Sequence, residues 1–262
     1  MPHLFLLLGL GLLLSTPARA DSSHLDRVLA AKELRVCIWP DYYGISHRHP
    51  HTQQLSGLDV DMAGALAKDL GVALRFVDTS FAMLIDDVTA DRCDIAMFGV
   101  AITPARAAKL HFTRPYLVSD IYAITTRSNR RIKDWSDIDK PSVVVAVQKG
   151  TFHEPLMRDK LKAATLLVVD NSRAREQEVE SGRADVFMTD YPYSRRMLDN
   201  VDWARLVSPP AAYHLTRYAY AMRSGDEPWH ARVEQFVAAI QRDGRLLDSA
   251  RRQKLDAIVA PQ

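Results

Sequence analysis

Short apolar runs alternate with amphipathic stretches along the first half of the chain. Runs rich in β-branched and apolar residues cover 34–38, 73–77 and 94–98, whereas 60–70 and 81–90 have helical spacing. This β-α-β-α-β order predicts a mostly parallel sheet covered by helices. Right-handed crossovers place the loops that follow the strands along one edge of such a sheet, where α/β proteins bind ligands.

The same alternation restarts after an extended run at 121–127 and a polar break at 128–131. The second series consists of predicted strands at 143–147, 166–169 and 186–189 and predicted helices at 151–161 and 173–181. Another extended run at 218–222 and a long amphipathic helix at 227–240 follow. Two α/β units joined by two extended runs predict an α/β protein of two lobes with a two-strand hinge. We assign residues 21–124 and 218–262 to lobe 1 and residues 125–217 to lobe 2.

The first twenty residues predict a secretory signal peptide. Leu4–Leu14 is apolar, and Ala18-Arg19-Ala20 has the small-x-small pattern of a signal-peptidase site. The run is too short for a membrane span, although no Lys or Arg precedes it. The mature chain is therefore expected to begin near Asp21 and to be periplasmic.

The charge balance excludes one class of partner. Lys and Arg total 34 against 32 for Asp and Glu, so the chain is close to neutral. Such a balance argues against nucleic acid or an acidic surface as the main partner.

Cys37 and Cys93 are the cysteines of the sequence. In an oxidising compartment they have the option of a disulfide, but both lie in or beside apolar strand-like runs, where a free cysteine behaves as a small hydrophobe. Two buried thiols are the favoured expectation.

Five sequence segments, taken together and in order, resemble a known family. They are Gly57–Ala63, Cys93–Arg106, Phe112–Tyr116, Lys149–Thr151 and Gly182–Asp190. The resemblance covers nearly all of the mature chain and is to the type II periplasmic solute-binding proteins, in the polar-amino-acid group of ABC-importer receptors (bacterial solute-binding protein family 3). It implies a monomeric periplasmic receptor without enzyme activity, which closes its lobes around an amino-acid-like molecule and meets an inner-membrane ABC permease. No metal or other cofactor is expected.

Two residues carry the expected recognition of a zwitterion. Arg106 follows a predicted strand and Thr103-Pro104, and its guanidinium is the planar fork of donors that suits a carboxylate. Asp190 follows the predicted strand 186–189, where a carboxylate can pair with an ammonium or cap the next helix. The resemblance implies that Arg106 binds the ligand α-carboxylate and Asp190 its ammonium.

Backbone groups complete the expected site. The resemblance places Gly99 and Ala101 beside the ligand, although relatives often have a Ser or Thr hydroxyl where this chain has Ala101. Gly150-Thr151 follows a strand and precedes a helix, so its N–H groups favour an anion.

An aromatic segment is expected to shape the side-chain pocket. Asp41 and Tyr42 follow the first strand, within Trp39-Pro40-Asp41-Tyr42-Tyr43. Such a cluster suits a flat or apolar ligand group or a cation–π contact, and it is also common in simple packing. Phe81 and, more weakly, Phe152 are further candidates.

Other polar clusters suggest no separate site. His47, His49 and His51 alternate in a polar segment that predicts an exposed loop rather than a metal site. Arg195-Arg196 and Arg251-Arg252 predict solvated helix faces, one of which is a candidate contact with a permease.

Two alternatives to the receptor remain open on sequence. Cyclohexadienyl (prephenate/arogenate) dehydratases share the fold and resemble the chain in several segments; for that chemistry Glu154 is the nominated general acid. Accessory proteins of periplasmic quinoprotein dehydrogenases begin with a similar Leu-Arg-Val-Cys strand.

Overall fold

The computed structural model describes residues 23–261, so the predicted signal peptide lies outside the described residues. The helices of this part are α1 (His24–Ala31), α2 (Leu58–Leu70), α3 (Leu84–Thr89), α4 (Pro104–Ala107), α5 (His153–Lys160), α6 (Ser172–Glu180), α7 (Tyr191–Asn200), α8 (Glu227–Arg242) and α9 (Arg245–Arg252). Within residues 23–261, no helix has the length and apolar character needed to cross a membrane.

The strands form two mixed sheets and a small hairpin sheet. They are β1 (Glu33–Ile38), β2 (Asp41–Tyr42), β3 (Ser46–Arg48), β4 (Leu55–Ser56), β5 (Ala73–Asp78), β6 (Ile95–Ala101), β7 (Leu110–Phe112), β8 (Leu117–Ser119), β9 (Ile121–Thr126), β10 (Val144–Gln148), β11 (Thr165–Val169), β12 (Val186–Asp190), β13 (Ala204–Val207) and β14 (Thr216–Arg223).

Both large sheets have a parallel centre, as the β-α-β patterns predict. In the first sheet β5, β1 and β6 are parallel to one another. Strand β14 pairs antiparallel with β6, and β7 and β8 pair antiparallel with β14. In the second sheet β11, β10 and β12 are parallel, and β9 and β13 add antiparallel. The two-lobed α/β fold is confirmed. The first and second lobes are named below after these sheets.

The chain passes between the sheets twice, through short extended segments. It leaves the first sheet after β8 and enters the second at β9, and it returns between β13 and β14. The carboxylate of Asp120, at the outward crossing, accepts the N–H groups of Tyr213 and His214, at the return crossing, over 2.9 and 2.8 Å. The two crossings are therefore tied together at one point. The predicted boundary at residue 124 falls within β9.

Cys37 and Cys93 form a disulfide, with an S–S distance of 2.04 Å, so the favoured expectation of two buried thiols is wrong. The reason is strand order, because β1 pairs in parallel with β6 and brings Cys37 beside the residues that precede β6. The two Cα atoms lie 5.5 Å apart, which is within the range that a disulfide requires. The residues are also fully buried, so each cysteine packs as a hydrophobe and the pair forms a covalent link.

Loss of this disulfide is expected to lower the free energy of unfolding by about 2–4 kcal/mol, because the disulfide closes a loop and thereby restricts the unfolded chain. The sequence separation of 56 residues makes that loop long. Urea unfolding of the Cys37→Ala, Cys93→Ala double variant should show this lower stability without reductant. Equal unfolding midpoints for the wild type and the double variant under oxidising conditions would contradict the expectation.

Candidate functional site

A narrow cavity lies between the two lobes at the ends of their central strands, and its empty space of about 350 Å³ includes solvent at its mouth. Its wall combines aromatic side chains from the first lobe with mostly polar ones from the second. The lining residues are Trp39, Tyr42, Phe81, Gly99, Gln148, Thr151, Phe152, His153, Arg175, Thr189, Asp190 and Tyr193. This is the edge at which the strand-following loops were predicted to meet.

Direct contacts between the lobes hold the cavity closed. The Arg106 guanidinium donates to the Gly150 carbonyl at 3.1 Å. The Tyr42 hydroxyl donates to the Asp190 carboxylate, and the Ser172 hydroxyl donates to Asp41. Asp41 therefore bridges the lobes but does not line the cavity. Tyr42 bridges the lobes and also lines the cavity.

Arg106 is held at the cleft by its own helix. Thr103 caps α4 by accepting the Arg106 N–H at 3.3 Å, and Pro104 occupies the first turn, as the sequence predicts. The side chain is 6% exposed, donates to the Ala101 carbonyl at 3.0 Å, and lies 5.4 Å from the Phe81 ring centroid. Burial lowers the pKa of Arg106 to about 10, which leaves it charged at neutral pH. Among residues 23–261 no carboxylate pairs with this buried cation.

Asp190 ends β12 and faces the cavity from the second lobe. Its carboxylate accepts the Tyr42 hydroxyl, the Tyr218 hydroxyl at 2.8 Å, and the Tyr193 N–H at 3.2 Å as the cap of α7. Burial raises the pKa of Asp190, and the hydrogen bonds from the two tyrosines oppose that rise. The helix-cap role is present, and the same carboxylate lines the cavity.

The Gly150-Thr151 turn already holds an anion from its own helix. The Gly150 N–H donates to Glu154 at 3.0 Å, and Glu154 also accepts from Arg158 at 3.0 Å. The Thr151 hydroxyl and N–H both donate to the Gln148 carbonyl, over 2.7 and 3.3 Å. Thr151 lines the cavity, but Gly150 and Glu154 do not.

The backbone at Gly99 is fixed by a buried carboxylate. Asp59 of α2 accepts the Gly99 N–H at 2.8 Å, the Tyr116 hydroxyl at 2.5 Å and the Tyr220 hydroxyl at 3.3 Å. A Cβ at Gly99 would lie 2.8 Å from the Tyr42 ring, so glycine allows Tyr42 to reach the cavity. Ala101 is buried and does not line the cavity, and its carbonyl accepts a hydrogen bond from Arg106.

Asp59 should make stability fall as pH rises. Burial raises its pKa to about 7, well above the value of about 3.9 in an unfolded chain. The folded state therefore holds more protons than the unfolded state between these pKa values, and the free energy of unfolding decreases across that range. Asp59→Asn should match the wild type near pH 4 and exceed its stability at pH 8 by about 4 kcal/mol.

Urea unfolding of both proteins from pH 4 to pH 8 measures this difference. If the free energy of unfolding depends on pH in the same way in the variant and in the wild type, Asp59 is not the cause of the decrease.

Aromatic rings form the first-lobe wall. The Trp39 ring lies 5.3 Å from Tyr42 and 5.1 Å from Phe81, and Phe81 lies 5.1 Å from Phe98. Such tilted contacts stabilise aromatic clusters beyond their burial alone. Tyr43 is outside this wall and packs on His47 instead.

Several polar lining residues were not predicted from the sequence: Gln148, His153 and Arg175, together with Thr189 and Tyr193. All are at least nine-tenths buried. Four of their buried polar atoms have no hydrogen-bond partner in good geometry within the described part of the chain. These atoms are Gln148 Oε1, both ring nitrogens of His153, and Arg175 Nε. Gln148 could have been predicted from the sequence, because it ends β10 directly before the Lys149–Thr151 segment.

The remaining polar clusters have local partners. His49 lies in the turn between β3 and β4, where its Nδ1 accepts backbone N–H groups at 3.2 and 3.3 Å. His111, Glu227 and His230 come close to one another, but the two imidazoles stack face to face at 3.6 Å and His230 donates to the Phe112 carbonyl.

Comparison with known proteins finds similarity both to binding proteins and to an enzyme. A sequence model of the bacterial extracellular solute-binding proteins, family 3, matches residues 34–252. The chain is 34% identical over 240 residues to cyclohexadienyl dehydratase of Pseudomonas aeruginosa, covering 90% of this chain and 88% of that protein. It is 26% identical over 234 residues to the L-cystine-binding protein TcyJ of Escherichia coli K12, covering 89% and 86%.

A solved structure has the same fold at similar sequence identity. The crystal structure of the ancestral amino acid-binding protein AncCDT-1, a precursor of cyclohexadienyl dehydratase, superposes with a TM-score of 0.81. The two are 31% identical, and the match covers 88% of this chain and 99% of that one.

Proposed function

The chain belongs to the bacterial extracellular solute-binding proteins, family 3, and on that premise we propose that it captures a small amino-acid-like molecule between its lobes. We further propose that it acts in the periplasm as a monomer and passes the ligand to an inner-membrane ABC-type permease. Cyclic opening and closing about the two crossings would load and release the ligand.

One observation carries this proposal: Arg106 is a buried cation without a described carboxylate partner, which is not itself in the cavity lining but packs behind it, 5.4 Å from the ring centroid of the lining residue Phe81. Burying an unpaired charge costs free energy, so such a cation in a cleft favours an anionic ligand group. Asp190 lies on the opposite lobe and supplies a carboxylate for a ligand ammonium. The pair would hold both ends of a zwitterion.

A thermal-shift screen of the mature protein tests the receptor function. A ligand at about 100 times its dissociation constant should raise the free energy of unfolding by about 2.7 kcal/mol. L-amino acids, amines, small carboxylic acids, prephenate and arogenate form the panel. Stabilisation by an amino acid without product formation supports the proposal, and the absence of any stabilising compound contradicts it.

A dehydratase is the second candidate, favoured by the 34% identity to cyclohexadienyl dehydratase. Glu154, the predicted general acid, is bound to the Gly150 N–H and to Arg158 and does not line the cavity. Asp190 is a carboxyl group that does line the cavity, with a raised pKa as an acid requires. Its carboxylate accepts hydrogen bonds from two tyrosines and the α7 backbone, and these bonds favour the charged carboxylate over proton donation.

Direct assay separates the two candidates. The wild type and Glu154→Gln are incubated with prephenate and with arogenate, and the aromatic product is followed by ultraviolet absorbance or chromatography. Turnover by the wild type would establish dehydratase activity, and loss of turnover in Glu154→Gln would support Glu154 as the general acid. Binding without turnover supports the receptor.

A further inference from the structure

A second buried guanidinium lies on the other side of the cavity. Arg175 is 3% exposed and shares the inner face of α6 with Val179, one turn later. Its guanidinium carbon lies 4.6 Å from the Phe187 ring centroid and 4.4 Å from that of Tyr193. One terminal nitrogen donates to the Met188 carbonyl at 3.1 Å, while Nε has no partner.

Arg175 differs from the arginine beside it in its pairing. Arg196 lies 4.9 Å from the same Tyr193 ring centroid, but it forms an ion pair with Glu176 and does not line the cavity. Arg175 lines the cavity and pairs with no carboxylate of residues 23–261. Stacking on rings fixes a guanidinium in place, yet it does not neutralise its charge.

Two neutral side chains extend this part of the wall. His153 is 4% exposed. Burial lowers its pKa to about 3, with the charge of Arg175 acting in the same direction and the Thr189 backbone opposing it. It is therefore uncharged at neutral pH and presents one N–H donor. Gln148 is also 4% exposed and has an unpartnered amide oxygen. Buried polar groups normally have partners, so three incompletely satisfied side chains on one wall point to a polar ligand group.

The charges around the cavity define that group further. Arg106 and Arg175 are positive and Asp190 is the acid that lines the cavity. A zwitterion with a neutral side chain would leave one buried positive charge unbalanced, and a cationic side chain would leave two. A ligand with a second carboxylate balances the site.

Resting on the proposed function, we propose that Arg175, with His153 and Gln148, binds a second carboxylate at the side-chain end of the ligand. The ligand is then a small dicarboxylate that carries an ammonium group for Asp190. Guanidinium and carboxylate match as planar hydrogen-bonding partners.

Two sources offer this chemistry: the acidic amino acids, and arogenate, which has two carboxylates and one ammonium. Titration calorimetry with L-glutamate, L-aspartate and arogenate distinguishes them. L-glutamine, L-asparagine and L-arginine provide neutral and cationic ligands of similar size. The wild type should bind at least one dicarboxylate at least about tenfold more tightly than any of these three, since charge-assisted hydrogen bonds are the stronger ones.

Arg175→Met is the variant that tests the residue, and Arg196→Met is its matched control. Arg175→Met should lower dicarboxylate affinity by about ten- to a hundredfold, with little change for the amides. Arg196→Met should leave the dicarboxylate preference unchanged. Arg175→Lys keeps the charge without the planar fork of donors and should retain part of the dicarboxylate preference. It replaces Arg175→Met in the comparison if that variant is poorly folded.

The outcomes separate this inference from the receptor function. Preferred binding of L-glutamine, L-asparagine or L-arginine, still lost in Arg106→Ala, would overturn the dicarboxylate inference and leave the receptor. Equal loss of dicarboxylate affinity in Arg196→Met and Arg175→Met would also overturn it. Dicarboxylate binding that Arg106→Ala leaves unchanged would instead contradict the proposed receptor site.

Discussion

Arg106→Ala is expected to weaken ligand binding by roughly a thousandfold, or about 4 kcal/mol. The variant removes a buried guanidinium that also joins the lobes through the Ala101 and Gly150 carbonyls. A ligand carboxylate would then be buried without its cation, which costs more than the loss of an exposed ion pair. Titration calorimetry with the ligand from the screen measures the loss.

Lys109→Ala is the matched control for Arg106→Ala. Lys109 follows the same short helix, is exposed and does not line the cavity. Its removal should leave affinity unchanged, because exposed charges contribute little to binding at a buried site. Affinity in Arg106→Ala within tenfold of the wild type would contradict the carboxylate-binding role.

Gly150→Ala should weaken binding by at least about a hundredfold by blocking closure. In the closed cleft, a Cβ at this position would lie 2.6 Å from the Ala82 Cα and 2.7 Å from the Ala82 nitrogen. These are backbone atoms of the opposite lobe, so they cannot move aside as a flexible side chain would. The variant must keep the lobes further apart, which removes the contacts that each lobe makes with the other.

Gly182→Ala controls for the backbone conformation alone. Gly150 and Gly182 have φ values of +78° and +76°, so alanine costs about 1–2 kcal/mol of stability at either position. No atom lies within 4 Å of a Cβ at Gly182. Calorimetry should therefore find normal affinity in Gly182→Ala and weak affinity in Gly150→Ala. Equal affinities would show that closure does not depend on this contact.

The fold was largely predictable because its signals are local. The strands at 34–38, 73–77 and 94–98 have apolar runs that burial in a parallel sheet requires, and each is present within a few residues. The predicted helix 81–90 is shorter, Leu84–Thr89, because residues 81–83 form a turn at the cavity. Helix α1 was not predicted, and α7 and α9 were indicated only as solvated helix faces at Arg195-Arg196 and Arg251-Arg252, without bounds.

The positions of the candidate site residues were predictable only near strand ends. Arg106 follows a strand, Asp190 ends one, and Tyr42, Phe81 and Thr151 lie in segments near strand ends. Arg175 could not be predicted in this way, since α6 has the sequence Ser-Arg-Ala-Arg-Glu-Gln-Glu-Val-Glu and reads as a solvated helix. Its burial depends on Phe187 and Tyr193, which only the tertiary structure brings to it. The disulfide depends on strand order in the same manner.

The most direct test of the central claim is titration calorimetry of the mature protein and of Arg106→Ala, with product analysis of the same samples. The compounds are the amino acids, prephenate and arogenate that stabilise the wild type. Our account predicts one-to-one binding of an amino-acid-like carboxylate to the wild type, about a thousandfold weaker binding to Arg106→Ala, and no product. Binding of equal strength to both proteins, or conversion of the ligand, would contradict it.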